Sequence, residues 1–136
     1  MAAGATEGRT LYLRGELGAG KTTLARGLLR ALGYRGRVKS PTYSLVEPYT
    51  ISRLHLYHFD LFRVKDEEEW SSLGFREYFN PYSVCVVEWP ERAGTALPMA
   101  DVEAGLEFAD SGRLARLAAH SPAGEDWLSR LPASPA

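Results

Sequence analysis

Residues 15–22 read GELGAGKT and fit the pattern G-x-x-x-x-G-K-S/T, which is typical of loops that bind the phosphates of a nucleotide. The glycines of this loop allow backbone conformations in which successive N–H groups surround an anion. The charge of Lys21 would neutralise β- and γ-phosphate oxygens, and the Thr22 hydroxyl would be a ligand of a magnesium ion that bridges them. The spacing therefore predicts a nucleotide site that uses Mg²⁺.

The segments on either side of this loop are those that a phosphate site needs. Residues 10–14 suit a short buried strand, and apolar residues repeat at helical spacing from Lys21 to Leu32, with Gly33 as a C-terminal cap. The positive end of this helix would point at the phosphates. We expect nucleotide contacts from the loop and from the threonine after it: Gly15, Glu16, Leu17, Gly18, Ala19, Gly20, Lys21, Thr22 and Thr23.

Two acidic residues at the ends of predicted strands are candidates to complete the site. Glu88 follows the apolar run 84–87, and Asp60 ends a second strand-like segment. In open α/β sheets, ligands bind at the carboxyl ends of the strands. We assign Glu88 as the principal acid, acting on the magnesium ion, and Asp60 as an auxiliary acid; the reverse assignment names the same residues. The predicted catalytic residues are Glu88, Asp60 and Lys21, and the predicted metal ligands are Thr22 and Glu88.

Two further residues each have a functional and a structural interpretation. Thr42 lies where small nucleotide switches place a threonine that senses the γ-phosphate, but Pro41 equally favours an ordinary Ser/Thr turn here. Trp89 would either cover the phosphates as a nucleotide contact or fill a gap in the core, which is the default for tryptophan.

The composition of the chain is that of one soluble globular domain of 136 residues, 45% hydrophobic and 24% charged. We expect flexible tails at residues 1–9 and 133–136. A formal net charge of −1 provides no general basic field, which argues against DNA binding and makes any RNA contact local or indirect. With no apolar run long enough to span a membrane, no export signal and one cysteine, Cys85, expected to be buried and inert, we predict a cytoplasmic protein without a membrane partner.

The other segments predict a mixed sheet. Residues 83–88 are the most strand-like segment, built on the valine-rich apolar run 84–87, as expected of a central parallel strand covered on both faces. An acidic helix is predicted to open at Asp66 and to be interrupted by Gly74. Further predicted elements are strands at residues 43–49 and 53–60, a hairpin of 102–109 with 113–120, and a short helix after Ser121-Pro122. Together they predict a three-layer α/β, P-loop NTPase-like fold with a mixed, mainly parallel sheet and an antiparallel C-terminal hairpin.

Motifs that are absent from the sequence restrict which nucleotide and which reaction are compatible with it. It has no Asn-Lys-x-Asp element, the usual reader of guanine, which favours ATP over GTP. A small-molecule kinase with residues 66–80 as its lid is one alternative, although this segment offers only Arg76 to a transferred phosphate. A non-hydrolysing module that binds nucleotide only to change partners is another. His58 and the other two histidines have no metal-ligand spacing with Cys85, so no zinc site is expected.

Four segments, in this order and spacing, resemble the bacterial TsaE (YjeE) family, the tRNA threonylcarbamoyladenosine biosynthesis ATPases. They are Gly18-Ala19-Gly20-Lys21-Thr22-Thr23, Ser40-Pro41-Thr42-Tyr43, His58-Phe59-Asp60-Leu61-Phe62-Arg63 and Glu88-Trp89-Pro90-Glu91. The resemblance runs from about Thr10 to His120. The loop alone is generic, whereas the other three segments together are specific.

This resemblance implies a weak magnesium-dependent ATPase that works with the TsaB and TsaD proteins in forming N6-threonylcarbamoyladenosine at adenosine 37 of tRNAs that read ANN codons. Contact with tRNA would be made through that complex, and hydrolysis would reset the complex rather than modify RNA. The resemblance also favours the switch-like role of Thr42 and pairs the magnesium-linked Glu88 with Trp89. Because members of the family commonly carry a longer leader before the loop, we expect one edge of the sheet to be exposed.

Overall fold

A computed structural model of the chain describes residues 9–16, 20–110 and 112–129. The strands are β1 (Arg9–Gly15), β2 (Val46–Ile51), β3 (Leu54–Asp60), β4 (Ser83–Glu88), β5 (Val102–Ala109) and β6 (Gly112–Ala119). The helices are α1 (Lys21–Ala31), α2 (Glu67–Ser72) and α3 (Pro122–Ser129), and short 3-10 turns occur at Phe75–Tyr78 and Pro90–Ala93. The predicted tails lie outside the described residues except for Arg9, which already belongs to β1.

The strands form a single six-stranded sheet in the order β2-β3-β4-β1-β5-β6. The inner pairs β3–β4, β4–β1 and β1–β5 are parallel, whereas the outer pairs β2–β3 and β5–β6 are antiparallel hairpins. The mixed, mainly parallel sheet and the C-terminal hairpin are therefore confirmed. The prediction of a buried central strand is also confirmed, because all six residues of β4 are buried.

Helical segments cover both faces of the sheet, which makes the predicted three layers. Because side chains alternate along a strand, Leu11, Leu13, Val84 and Val86 face α1 and α3, while Tyr12, Cys85 and Val87 face α2 and the 3-10 turns. The α1 side also buries Trp127 of α3. The opposite side has an aromatic cluster around Phe59, formed by rings of Trp70, Phe75, Tyr78 and Phe79.

Glycines set both ends of α1. Gly20, at the N-cap, has φ 107°, a left-handed conformation that favours glycine. The helix begins at the next residue, Lys21. The helix ends at Ala31, and Gly33, with φ 103°, reverses the chain as the predicted C-terminal cap. The last carbonyls accept hydrogen bonds from Leu32 N and Tyr34 N. The loop motif therefore leads directly into the start of a helix.

The prediction of a strand at residues 43–49 is wrong at both ends. Residues 42–44 form a turn closed by a hydrogen bond from Leu45 N to Pro41 O, and Leu45 has φ 70°. The strand begins only at Val46 and continues to Ile51. Pro48 within it is compatible with its position at the edge of the sheet, because an edge strand leaves N–H groups unpaired in any case.

The acidic segment that follows β3 is helical, as predicted. Asp66 caps α2, because its side chain accepts a hydrogen bond from Glu69 N at 2.9 Å. Gly74 ends this helix with φ 74°, and the chain continues as the 3-10 turn Phe75–Tyr78. In the described part of the chain no helix is long and apolar enough to cross a membrane.

The thiol of Cys85 is buried in β4, on the face covered by α2, and donates a hydrogen bond to Tyr78 O at 3.2 Å. Burial raises the pKa of this thiol to about 12, which suppresses the reactive thiolate at neutral pH. We expect alkylation of Cys85 by iodoacetamide at pH 8 to be at least about a hundredfold slower in the folded protein than in urea. Mass spectrometry of timed samples would measure this; equal rates in the two states would contradict it.

Candidate functional site

A cavity of about 440 Å³ lies at the carboxyl ends of β3 and β4 and beside the first turn of α1. It is the position where α/β sheets bind ligands. Both predicted acids, the predicted lysine and the predicted threonines line this one cavity. Its lining consists of Gly20, Lys21, Thr22, Thr23, Thr42, Asp60, Phe62, Arg63, Glu88 and Trp89.

The sheet register explains why the two acids meet. Asp60 is the last residue of β3 and Glu88 the last residue of β4, and the two are directly paired across these parallel strands. Val86 lies two residues before Glu88 in β4 and faces α1, so Glu88 lies on the same face of the strand. Both carboxylates therefore lie at the strand ends on the side where α1 begins.

Thr22 and Glu88 are in direct contact. The Thr22 Oγ1 lies 3.3 Å from Oε1 and 3.2 Å from Oε2 of the Glu88 carboxylate and donates to it. Glu88 itself is buried, so its negative charge is held close to a single hydroxyl in a place with little water. This contact joins the start of α1 to the end of β4.

Lys21 is a buried cation that is bound by backbone carbonyls. Its side chain extends back along the loop, so that Nζ donates to Gly15 O at 2.6 Å and to Glu16 O at 3.0 Å. Only 4% of Lys21 is exposed, and this burial lowers the pKa of its ammonium group. Within the described residues no carboxylate forms an ion pair with Lys21. An anion that entered the cavity would meet a poorly hydrated positive charge.

Trp89 lies over this lysine. It has φ 58° and ψ 49°, a left-handed conformation that is rare for a bulky residue and that turns the chain sharply after Glu88. The turn brings the indole to 4.2 Å from Lys21 Nζ, measured to the ring centroid, and to an edge contact with Phe62 at 5.1 Å. Trp89 therefore forms one wall of the cavity and is also packed, partly buried, against the core on the α2 side, so both interpretations of this residue stay open.

Asp60 has a different environment from Glu88. One of its oxygens, Oδ1, accepts a hydrogen bond from Phe62 N at 3.0 Å, in the turn that follows β3. Burial raises the pKa of this carboxyl group, and the nearby Glu88 raises it further, whereas the bond from Phe62 N lowers it. Asp60 thus has a greater tendency to hold a proton than an exposed aspartate.

Thr42 lies at the cavity in the turn that follows Pro41, and its hydroxyl is 2.7 Å from Ser40 Oγ. Both interpretations of this residue are compatible with that place, so its response to a γ-phosphate stays a prediction. The proposed kinase lid at residues 66–80 contributes no lining residue, and Arg76 lies instead at a separate cavity beside Trp70.

Some of the other predicted nucleotide contacts lie in the described part of the chain, and some lie outside it. Gly15 and Glu16 contribute the carbonyls that Lys21 binds, and Gly20 and Thr23 line the cavity. Leu17, Gly18 and Ala19 lie outside the described residues, so their predicted contacts stay predictions.

Sequence reasoning did not assign His58, Phe62 or Arg63 to the site. His58 is fully buried, and its Nε2 lies 2.5 Å from Glu88 Oε2. The signal was available in the strand periodicity, because His58 precedes Asp60 by two residues and must share its face. Phe62 and Arg63 lie in the turn after the strand, where periodicity predicts nothing.

The donors at this site suit magnesium. Among the described residues no group of three or more His, Cys, Asp or Glu side chains could hold a metal ion alone. Magnesium needs no such group, since it is usually bound by one or two carboxylates together with substrate phosphates and water. The adjacent hydroxyl and carboxylate of Thr22 and Glu88 are oxygen donors of the kind that Mg²⁺ prefers.

A mixed, mainly parallel α/β sheet with a glycine-rich loop motif before α1, and with acids at the ends of neighbouring strands, defines the class of P-loop-like proteins. The family model for the threonylcarbamoyl adenosine biosynthesis protein TsaE matches residues 1–116. The chain belongs to the TsaE family, whose members take part in the biosynthesis of threonylcarbamoyladenosine in tRNA.

Individual proteins agree with this family. The chain is 47% identical over 119 residues to the tRNA threonylcarbamoyladenosine biosynthesis protein TsaE of Haemophilus influenzae, covering 88% of this chain and 75% of that protein. It is 44% identical over 97 residues to the TsaE protein of Bacillus subtilis, covering 71% and 60%. The crystal structure of Bacillus subtilis YdiB superposes with a TM-score of 0.76 at 29% identity, covering 94% of this chain and 80% of that one.

Proposed function

We propose that this protein is a magnesium-dependent ATPase that supports N6-threonylcarbamoyladenosine modification of tRNA in the cytoplasm, together with TsaB and TsaD. The observation that carries the proposal is the convergence of Lys21, Thr22 and Glu88 on one cavity that Asp60 also lines. The loop motif before α1 supports a phosphate ligand, and the family supports the pathway.

Lys21 and the start of α1 supply the positive charge of the proposed site. The lysine is buried and bound only by neutral carbonyls in the described chain, so phosphate oxygens would be its stronger partners. The N–H groups at the start of α1 would add donors aimed at the same anion. Trp89 covers this charge from the other side and limits its access to water.

Thr22 and Glu88 are the residues that would hold magnesium. Magnesium bound at a nucleotide bridges phosphate oxygens and neutralises the charge that develops on them during transfer. Glu88 is suited to this because it is buried, carries a negative charge and contacts the Thr22 hydroxyl through both carboxylate oxygens. The geometry therefore favours Glu88 over Asp60 for the metal.

Asp60 is the better placed of the two acids to act on water. Its raised pKa makes it a stronger base than an exposed aspartate, which suits a group that accepts a proton from an attacking water. It lines the same cavity as Glu88, one strand away, while its Oδ1 is held by Phe62 N. In this scheme Thr42, which also lines the cavity, reports the state of the γ-phosphate to the partner proteins.

Replacement of Glu88 tests the proposed activity. We expect Glu88→Gln to reduce ATP turnover by about two to four orders of magnitude, because the amide keeps the size of the side chain but removes its charge. Turnover is measured by phosphate release, for the protein alone and with TsaB, TsaD and tRNA, and modified tRNA is quantified in parallel.

Glu107→Gln is the matched control, since Glu107 is an exposed glutamate of β5 that pairs with Arg116 away from the cavity. Full activity of the Glu107 variant with loss in the Glu88 variant would support the proposal. Wild-type protein that binds ATP but releases no phosphate with all partners present would instead support a nucleotide-dependent regulatory module. Transfer of phosphate to a small molecule would support a kinase.

A further inference from the structure

His58 is a fully buried polar residue for which the proposed ATPase scheme has no role. It lies in β3, two residues before Asp60, and pairs with Val86 of β4. At this position the imidazole faces the start of α1 together with the acids, and its Nε2 lies 2.5 Å from Glu88 Oε2. A buried histidine that contacts a buried carboxylate so closely is more than a filler of the core.

The other ring nitrogen indicates which tautomer this histidine adopts. Among the described residues none forms a hydrogen bond with His58 Nδ1, although this atom is buried. A proton on Nδ1 would therefore be left unpaired, and the Nε2 lone pair would then face the carboxylate. A proton on Nε2 avoids both of these unfavourable contacts, because Nε2 can then donate to Glu88.

The two carboxylate oxygens of Glu88 have different contacts. Oε2 is contacted by both His58 Nε2 and the Thr22 hydroxyl, whereas in the described part of the chain Oε1 is contacted by the Thr22 hydroxyl alone. His58 thus contacts one oxygen of the carboxylate and not the other. A leucine in place of His58 would fill the same space without an orphaned nitrogen, but it would leave Oε2 with one donor fewer.

We propose that His58 is a positioning residue, which donates from Nε2 to Glu88 and holds that carboxylate in the orientation that binds magnesium. The inference rests on the proposed function only in taking Mg²⁺ and ATP as the ligands of the site. It predicts that His58 affects how much Mg²⁺ strengthens the binding of ATP. It does not affect the binding of ATP in the absence of Mg²⁺.

Two amide substitutions separate this role from a merely structural one. In His58→Gln the side-chain nitrogen is as many bonds from the backbone as Nε2, so a donor to Glu88 is kept. In His58→Asn the nitrogen corresponds instead to Nδ1 and cannot reach Glu88 in the same way. The matched control is His55→Asn, because His55 lies three residues earlier in β3 and is exposed.

The readout is the ratio of ATP dissociation constants without and with Mg²⁺, measured from Trp89 fluorescence with the other two tryptophans replaced by phenylalanine. We expect His58→Asn to reduce this ratio by about tenfold relative to wild type, which is the effect of losing a hydrogen bond to a charged group. His58→Gln should restore most of it, and His55→Asn should not change it. Affinity for ATP without Mg²⁺ should be equal in all four proteins.

Equal magnesium coupling in wild type and His58→Asn would overturn the inference, as would equal losses in the Asn and Gln variants. A protein that binds Mg²⁺ and ATP in the expected pattern but never releases phosphate would contradict the proposed ATPase activity and leave the role of His58 supported. Nitrogen NMR of the ligand-free protein gives an independent test. A protonated Nδ1 in the His58 ring would overturn the inference, whereas a bare Nδ1, with an Nε2 resonance that shifts in Glu88→Gln, would support it.

Discussion

Lys21→Met should weaken the binding of ATP by about 30-fold or more. Truncating one partner of a buried charge pair costs about 2–5 kcal/mol, and each 1.4 kcal/mol corresponds to about a factor of ten in affinity. Lys21 is such a partner for a phosphate, since it is 4% exposed and its hydrogen bonds to described residues go to the carbonyls of Gly15 and Glu16. Methionine keeps the apolar stem and removes the ammonium group. Isothermal titration calorimetry with ATP and Mg²⁺ measures the loss.

The same substitution should not destabilise the ligand-free protein at neutral pH. Burial lowers the pKa of Lys21 in the folded state, so the unfolded chain binds more protons between that lowered pKa and 10.5, the ordinary value. Wild-type stability should therefore rise with pH across this window, and Lys21→Met should reduce that rise. Thermal unfolding at several pH values tests this. ATP binding as tight as in wild type would contradict the assignment of Lys21, whatever its effect on stability.

Phe59→Ala should reduce the free energy of unfolding by about 3–5 kcal/mol, the usual cost of truncating a buried phenylalanine. Phe59 is 0% exposed, and its ring packs at 5.3 Å from Phe79 and 5.8 Å from Trp70, measured between centroids. Its removal would open a cavity between the sheet and α2, in the strand that carries His58 and Asp60. Urea denaturation followed by circular dichroism measures the change.

Tyr82→Ala is the control for this experiment, because Tyr82 is 76% exposed and its backbone hydrogen bond to Asn80 is kept. We expect its free energy of unfolding to stay within about 0.5 kcal/mol of wild type. A loss below about 1 kcal/mol in Phe59→Ala would mean that the aromatic cluster can close around the missing ring. The cluster would then not be the main support of β3.

The parts of the fold that sequence predicted are those where one local signal is sufficient. Residues 84–87 are apolar without interruption, which is typical of a strand buried on both faces, and this strand runs from Ser83 to Glu88. The predicted position of the acids at neighbouring strand ends agrees with the structure, because parallel strands end at the same edge and Asp60 pairs with Glu88. Lys21 and Thr22 were predicted from a loop pattern that can be recognised without the rest of the chain, and the structure places both at the same cavity as the acids.

The errors arise where tertiary structure decides. Leu45 adopts φ 70° to close a turn with Pro41, and its sequence, typical of a strand, gives no indication of this. His58 was judged by its spacing to other possible metal ligands, whereas its actual partner is the carboxylate of Glu88 on a neighbouring strand. Trp89 could be placed over Lys21 only once the left-handed turn after β4 was known.

The sheet order has a consequence for the time at which the site can form. β1, which leads into the loop, has its two neighbours far along the chain, since Leu11 pairs with Val86 on one side and with Val102 on the other. During synthesis β1 therefore stays without a strand partner until β4 has emerged from the ribosome. Such non-local pairing slows folding, because loop-closure entropy is lost before the contacts form. The phosphate loop is thus made early but gains its supporting sheet only after most of the chain exists.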